Sequence, residues 1–406
     1  MSYLEGTGSL SGSLDLVKAP DVLSKEFEEL IGAIAADFQK RNASEEREHP
    51  FEAIRLVKEY RLGAIQLPEN EGGTGASFVD LFKTIIRVAE ADPDVAHILR
   101  SHFLFVESLL QAPDTALKER MLLEVRQGAL FGNAYTENSK HAAGGGIYNT
   151  RLTRDGNRYV LNGEKYFSTG TYYSDYTVVL AMLGETPRQV IVPVTRKGVS
   201  MLDDWDGFGQ KFTGSGTTRF ENVSVDESEI FVTSGETEKY QALPQLYLQG
   251  IVAGILRNIV TDSVELIGKR KRAFFHSNSD DLKQDVQLQE VVGRLSSYAF
   301  AAESIVLAAA KSIDDVSLAG TDSLIARHSS SLKAAQAKIA IEDFAHKAAT
   351  LLFEAGGASA TRQSANLDRH WRNIRTLSSH NPTLYKARAI GNYHINQVLL
   401  PENVYF

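Results

Sequence analysis

The spacing of apolar residues changes twice along this chain, and that constrains the fold more than any single motif. In "SKEFEELIGAIAADFQK" Phe27, Leu30, Ile31, Ile34 and Phe38 recur at helical intervals. A second helix fits "HPFEAIRLVKEYRLG", with Pro50 near its start and Gly63 just past its end. A third fits "FVDLFKTIIRVAEADP" and stops before Pro93. A fourth is expected to start at Asp94 as N-cap and to run through "VAHILRSHFLFVESLL". A fifth covers Thr115 to Arg126.

Near Ala129 the helical period stops. Up to about Ser234 the apolar residues fall in short runs separated by turns: "YVLNGEKYF", "YTVVLAML", "QVIVPV" and "TTRFENVSV". "RDGN" at 154–157 is a hairpin turn signal. No helix of useful length separates these runs, so an antiparallel sheet or barrel is expected and a parallel βαβ sheet is not. From Lys239 onward the helical pattern returns in long, alanine-rich stretches suited to side-by-side packing. The expected fold is therefore α+β and mostly α. Residues 17–128 form a helical domain, 129–235 a central antiparallel β domain and 236–406 a four-helix bundle.

Composition narrows the chemistry. The chain has no cysteine, which removes disulfides, thiolate nucleophiles, cysteine-zinc sites and iron–sulfur clusters. The formal charge of −8 argues against a nucleic-acid partner. The Gly/Ser-rich start reads as a loose arm without the basic and apolar regions of a signal peptide. No apolar run is expected to reach the roughly 18 residues that cross a bilayer. No membrane association and a cytoplasmic location are the expectations.

Several stretches could carry chemistry. "LPENEGGTG" (67–75) reads as a loop, not a phosphate-binding one, since no Lys-Ser/Thr follows. "FGNAYTENSKHAAGGG" (131–146) sets Asn, Thr and Ser beside glycines, suiting hydrogen bonds to a flat heterocycle or a phosphate. "NGEKYFSTG" is strand-like and would put Phe167 and Thr169 on one face. "KRKR" (269–272) ends a long helix, where cations complement the dipole or clamp a phosphate. His97 and Ser101 share a helix face that excludes His102. No metal-ligand spacing occurs, so no metal site is expected. "DRHWRNIRTLSSH" (368–380) places Trp371, Ile374 and Leu377 on one stripe and Arg372 and Arg375 on another. Its last residue, His380, falls at a helix C-terminus, where a charged histidine is favoured.

"LPENEGGTG", "GNAYTENS", "LNGEKYFSTG" and "WDGFGQKFTGSGTTRFENVSV", in this order, resemble the acyl-CoA dehydrogenase superfamily from about Leu23 to the C-terminus. "GNAYTENS", "DDWDGFGQKFTGSGTTRFENV" and "DRHWRNIRTLSSHNPTLYK" are similar to its flavin-dependent monooxygenase branch, the dibenzothiophene monooxygenase-like enzymes. True dehydrogenases of the superfamily often carry a glutamate base in the region of the last motif. From His370 to Tyr405 this chain has no carboxylate except Glu402.

The resemblance implies the acyl-CoA dehydrogenase fold and a two-component monooxygenase. A separate flavin reductase would supply reduced FMN, with FAD as the alternative cofactor. Dioxygen would form a C4a-hydroperoxyflavin that oxygenates a small organic substrate, an organosulfur compound or an amine. Thr169 would hydrogen-bond the flavin ring with Phe167 packed on it. Asn133 and Tyr135 would line the ring, and Trp205 would pack near it. Arg272 would contact the phosphate, across a subunit interface. His97 and His380 would border the pocket, with His380 steering protonation. Family members are usually homotetramers.

Three positions depart from the branch. Ser101 stands where it has a tyrosine, Leu377 where it has a second histidine and Ser359 where it has a phosphate-binding arginine. The first two reshape the pocket beside the catalytic candidates His380, His97 and Ser101. The third bears on the cofactor phosphate. The competing readings are an acyl-CoA dehydrogenase using FAD with a displaced base, and a non-enzymatic flavin-fold binding protein.

Overall fold

The computed structural model describes residues 18–44, 48–138, 147–231, 240–318, 323–402 and 406. The expected N-terminal arm, residues 139–146 of the glycine-rich loop and the boundary at 235/236 lie outside the described residues.

Five helices come first: α1 (Lys25–Asn42), α2 (Phe51–Glu59), α3 (Phe78–Ala91), α4 (Pro93–Gln111) and α5 (Ala116–Arg126). Their starts follow local capping chemistry. Ser24, Ser77 and Thr115 each accept a backbone N–H of the first turn. Phe27, Leu30 and Ile34 of α1 are buried, as the periodicity requires.

Two boundaries differ from expectation. The N-cap of α4 is Asp92, whose carboxylate accepts from the N–H groups of Asp94 and Val95, with Pro93 opening the helix. Asp94 therefore lies buried inside the first turn. The chain leaves α2 through Arg61 in a left-handed conformation, not at Gly63. Gly63 serves another purpose, since a Cβ there would lie 2.4 Å from His102 Nε2. His102 is a core histidine: its Nε2–H donates to Gly63 O and its Nδ1 accepts from the Phe131 N–H.

Eight strands follow: β1 (Phe131–Ala134), β2 (Arg151–Asp155), β3 (Arg158–Lys165), β4 (Tyr176–Leu183), β5 (Thr186–Pro193), β6 (Val199–Met201), β7 (Thr218–Val225) and β8 (Ile230–Phe231). They form one sheet in the order β6-β7-β3-β2-β4-β5-β8, with β1 beside β4. The "RDGN" turn joins β2 to β3, with Gly156 at positive φ. Most pairings are antiparallel, but β1–β4 and a single β2–β4 contact are parallel. β3 ends at Lys165, so Phe167 and Thr169 sit in the turn beyond it and strand alternation does not align them.

The last unit holds α6 (Ala242–Lys269), α7 (Val286–Leu318), α8 (Leu324–Gly356), α9 (Arg369–Ser378) and α10 (Thr383–Asn396). The three long helices pack against one another, and α9 and α10 fill the remaining side against α8. α6 also packs on α3 and α4, so one hydrophobic core runs through both helical units. α7 is long and apolar enough to cross a bilayer by length and composition, contrary to expectation, and packs along α6 and α8.

Candidate active site

A cavity of about 410 Å³ opens where the three units meet. That volume lies in the range of small-molecule sites, roughly 300–1,000 Å³. One wall is a stripe of α4 running from Arg100 and Ser101 through Leu104 and Phe105 to Glu107 and Gln111. Opposite it stand Gly132, Asn133, Tyr135 and Thr136 at the end of β1, with Val178 and Leu180 of β4 behind them. The start of α6 supplies Leu243, Pro244 and Gln245, and His380 closes one end. Four of the expected residues, Ser101, Asn133, Tyr135 and His380, line this single space.

Ser101 links the cavity to a buried hydroxyl network. Its Oγ donates to Thr169 O at 3.1 Å, and Thr169 Oγ1 lies 2.7 Å from Ser215 Oγ. Ser215 meets Thr213, which donates to Gln210 O at 2.9 Å. Trp205 Nε1 donates to the same carbonyl at 3.0 Å, and Phe167 meets the Trp205 ring edge to face. Phe167 is 59% exposed and has a positive φ of 54°. A left-handed, exposed phenylalanine is a costly arrangement of the kind that gathers at binding sites.

His97 does not line the cavity. It is buried behind Ser101 with Nδ1 2.9 Å from Gln210 Oε1. Gln210 is thus a hub, because its own N–H donates to Asn373 Oδ1 of α9 at 2.7 Å. Burial, and then the charge of Arg100, push the His97 pKa down to about 3, so its ring is neutral.

His380 follows α9 by two residues, and its N–H donates to Leu377 O. His380 retains exposed surface and lines the cavity. Burial lowers its pKa well below the ordinary value, and the charges of Arg100, Lys338 and Lys386 act the same way. His380 is neutral, which corrects the expectation of a charged histidine on a helix dipole.

The cavity contains one carboxylate among its described lining, Glu107. Its two oxygens accept from the side-chain amides of Gln66 and Gln111, each at 3.0 Å. An aligned base for abstracting a proton beside a thioester is not found among these residues.

Arg272 and Ser359 lie elsewhere. α6 ends at Lys269, so Arg272 stands beyond the helix dipole in an exposed segment, and Ser359 is exposed just past α8. The two helix ends adjoin, since Arg270 Nη1 donates to Ala355 O. The helical rise from Gln245 to Lys269 separates Arg272 from the cavity by roughly 35 Å. Within one chain neither residue reaches a ligand held in the cavity.

Sequence reasoning missed Arg100, Gln210, Gln245 and Glu107. Gln210 lies inside a quoted motif, but its role depends on contacts with α4 and α9 that no local spacing signals.

A flavin can be tested against these residues. Asn133 Oδ1 is buried and makes no hydrogen bond. An unmade buried acceptor is expensive unless a ligand donor meets it. The flat flavin ring offers such an N–H, and Asn133, Tyr135 and Thr169 with the Phe167–Trp205 pair suit its polar edge and its faces. The residues fit the group.

Two family models match the chain: "Acyl-CoA dehydrogenase, middle domain" over residues 132–223, and "Acyl-CoA dehydrogenase, C-terminal domain" over residues 247–383. Together they span more than half of it. A dibenzothiophene monooxygenase of Mycolicibacterium goodii is 28% identical over 377 residues, covering 88% of each chain. A Pseudomonas putida protein named "Probable FMNH2-dependent monooxygenase SfnC" is 26% identical, over 84% of this chain and 87% of its own. Among solved structures, FMN-bound TdsC from Paenibacillus sp. A11-2 superposes with a TM-score of 0.85 at 23% identity, over 94% of this chain and all of the other. Methanesulfinate monooxygenase MsuC from Pseudomonas fluorescens gives 0.84 at 23% identity, over 95% of this chain.

Proposed function

The chain belongs to the acyl-CoA dehydrogenase superfamily, and from that premise we propose that it is a reduced-flavin-dependent monooxygenase acting on a small organic substrate. The observation that carries this is the composition of the junction cavity. It offers an unpartnered amide oxygen for a flavin and a neutral histidine, while its one described carboxylate is tied to two amides. The curated relatives named as monooxygenases, one of them FMNH2-dependent, support the same reading and favour FMN over FAD.

FMN, when bound in reduced form, supplies the electrons that activate dioxygen for transfer of one oxygen atom. The protein's part is to bind, orient and exclude water. Asn133 Oδ1 would accept from the ring edge, with Thr169 and Tyr135 beside it and the Phe167–Trp205 pair packed against it. His380, neutral and lining the cavity, would hold a proton near the reacting atoms without adding charge. Leu104, Phe105, Val178, Leu180 and Leu243 keep water from that space. In this reading a separate reductase delivers the reduced flavin, the protein works in the cytoplasm, and a homotetramer brings Arg272 of one copy to the cofactor phosphate of another.

The test uses the full chain with FMN, a flavin reductase, NADH and a panel of organosulfur compounds and amines under labelled dioxygen. One labelled oxygen atom in the product is the expected result. Bleaching of bound FAD by an acyl-CoA, with no label incorporated, would instead establish the dehydrogenase. Failure to bind either flavin at micromolar concentration would leave a non-enzymatic binding protein.

A further inference from the structure

Several buried or half-buried cations of this protein have carboxylate partners. Arg41 meets Asp37 and Asp92, Arg369 meets Asp262, Arg257 meets Glu90 and Glu303, and Lys165 meets Glu137. Arg100 differs. Its Nε and Nη2 both donate to one neutral acceptor, Pro244 O, at 3.4 and 3.1 Å. Among the described residues no carboxylate pairs with it, and its Nη1 donates to none of them. Burial pushes its pKa down to about 10, so it still carries full charge at neutral pH. A charge withdrawn from water without an anion is costly. Here that charge lines the junction cavity.

The surroundings give the space a direction. His380 and Gln245 flank Arg100 at one end, and no described acid stands there. Glu107 lies seven residues along the same face of α4, about 10 Å away by helical rise. Leu104, Phe105 and Leu243 form an apolar stretch between the two. An anion is therefore attracted at the His380 end and repelled at the other. A guanidinium also suits an oxyanion better than an ammonium would, because its planar fork donates two parallel hydrogen bonds.

We infer that Arg100 anchors an oxyanion on the substrate, a sulfinate, sulfonate or carboxylate, with a short apolar body laid along Leu104 and Leu243 toward Asn133. The inference rests on reading the cavity as the substrate site. The phosphate of the cofactor is the other source of an oxyanion, and the experiment separates the two.

Equilibrium binding to the full chain is measured with butane-1-sulfinate and pentanoate, and with butyl methyl sulfone as a neutral probe of similar size. The wild-type protein should bind at least one anion about tenfold or more tightly than the sulfone. Arg100→Met should lose 10- to 100-fold in anion affinity, the range of about 1.5–3 kcal/mol for a charged hydrogen bond. Arg100→Lys should recover part of it, and FMN affinity should stay within twofold in both. Equal binding of anion and sulfone by the wild type overturns the inference even if the variants do not fold. It is equally overturned if Arg100→Met weakens FMN and leaves the anions unaffected. Labelled oxygen entering only neutral substrates would remove the anchor and keep the oxygenase. Anion binding through Arg100 with no label in any product would keep the anchor and remove the oxygenase.

Discussion

His380 and Asp94 show what burial does to single ionisable groups. His380 faces the cavity amid cations, so its imidazole is neutral and can hold a proton without competing for the substrate's charge. His380→Ala should preserve folding and FMN binding but raise the share of consumed oxygen released as hydrogen peroxide, measured against NADH oxidation in the coupled assay. Unchanged coupling would remove His380 from the chemistry. Asp94 is pushed up to about 8 by burial and by the charge of Asp92. Between the ordinary value of 3.8 and about 8 the folded chain holds a proton that the unfolded chain has released. Stability must therefore fall as pH rises through that window. Asp94→Asn should flatten this slope, with the thermal midpoint raised by a few degrees at pH 8.5 and little changed at pH 5. A wild-type-like pH profile in the variant would contradict the argument. His380 was legible because its motif resembles a family. Arg100 was not, because an unpaired guanidinium is defined by what fails to approach it in space.

Among the elements, α9 does the positioning. The spacing of Ile374 and Leu377 predicts its buried stripe, and both are buried, while Trp371 stays partly exposed and stacks on Phe208. Two of its arginines anchor the helix. Arg372 donates to Phe208 O, and Arg369 donates to Asp262 of α6 at 2.5 Å. His370 Nε2 lies 2.7 Å from the same carboxylate. Asn373 then fixes Gln210, and Gln210 fixes His97. Removing Asp262 strands a buried guanidinium, so Asp262→Ala should cost about 3–5 kcal/mol. Denaturant unfolding checks the loss of stability. FMN affinity should fall with it, because α9 carries the Gln210 contact and leads directly into His380. A variant of wild-type stability would show that the Arg369–Asp262 pair contributes little. Sequence alone shows the helix and its stripes, but it cannot show a partner 107 residues away.

The exterior of the whole molecule is unusually apolar at the C-terminal unit. Phe275 is 94% exposed, Leu384 82% and Phe300 74%, where a solitary chain would favour polar side chains. Phe275 lies three residues from Arg272. In the proposed tetramer these surfaces are covered, and Arg272 reaches a cofactor that its own chain holds too far away. Phe275→Asp combined with Phe300→Asp should lower the mass seen by light scattering and weaken FMN binding together. Arg272→Ala should weaken FMN binding about tenfold with no change in mass. Full FMN affinity in a monomeric variant would contradict the shared site.

The sequence by itself determined the order of helical and strand segments, most helix spans and the hairpin at "RDGN". Those features follow from periodicity and from hydrogen bonds within a few residues. It also carried motifs similar to one flavoprotein branch, which pointed to Ser101, Asn133, Tyr135, Thr169 and His380. Tertiary structure alone decided that four of these share one cavity, that Gln210 joins α4 to α9, and that His380 is neutral. It alone decided that Asp94 is a buried acid and not a cap, and that Arg100 lacks a counter-ion among the described residues. Protonation and pairing depend on burial and on charges brought together from distant segments, and neither quantity exists until the chain has folded.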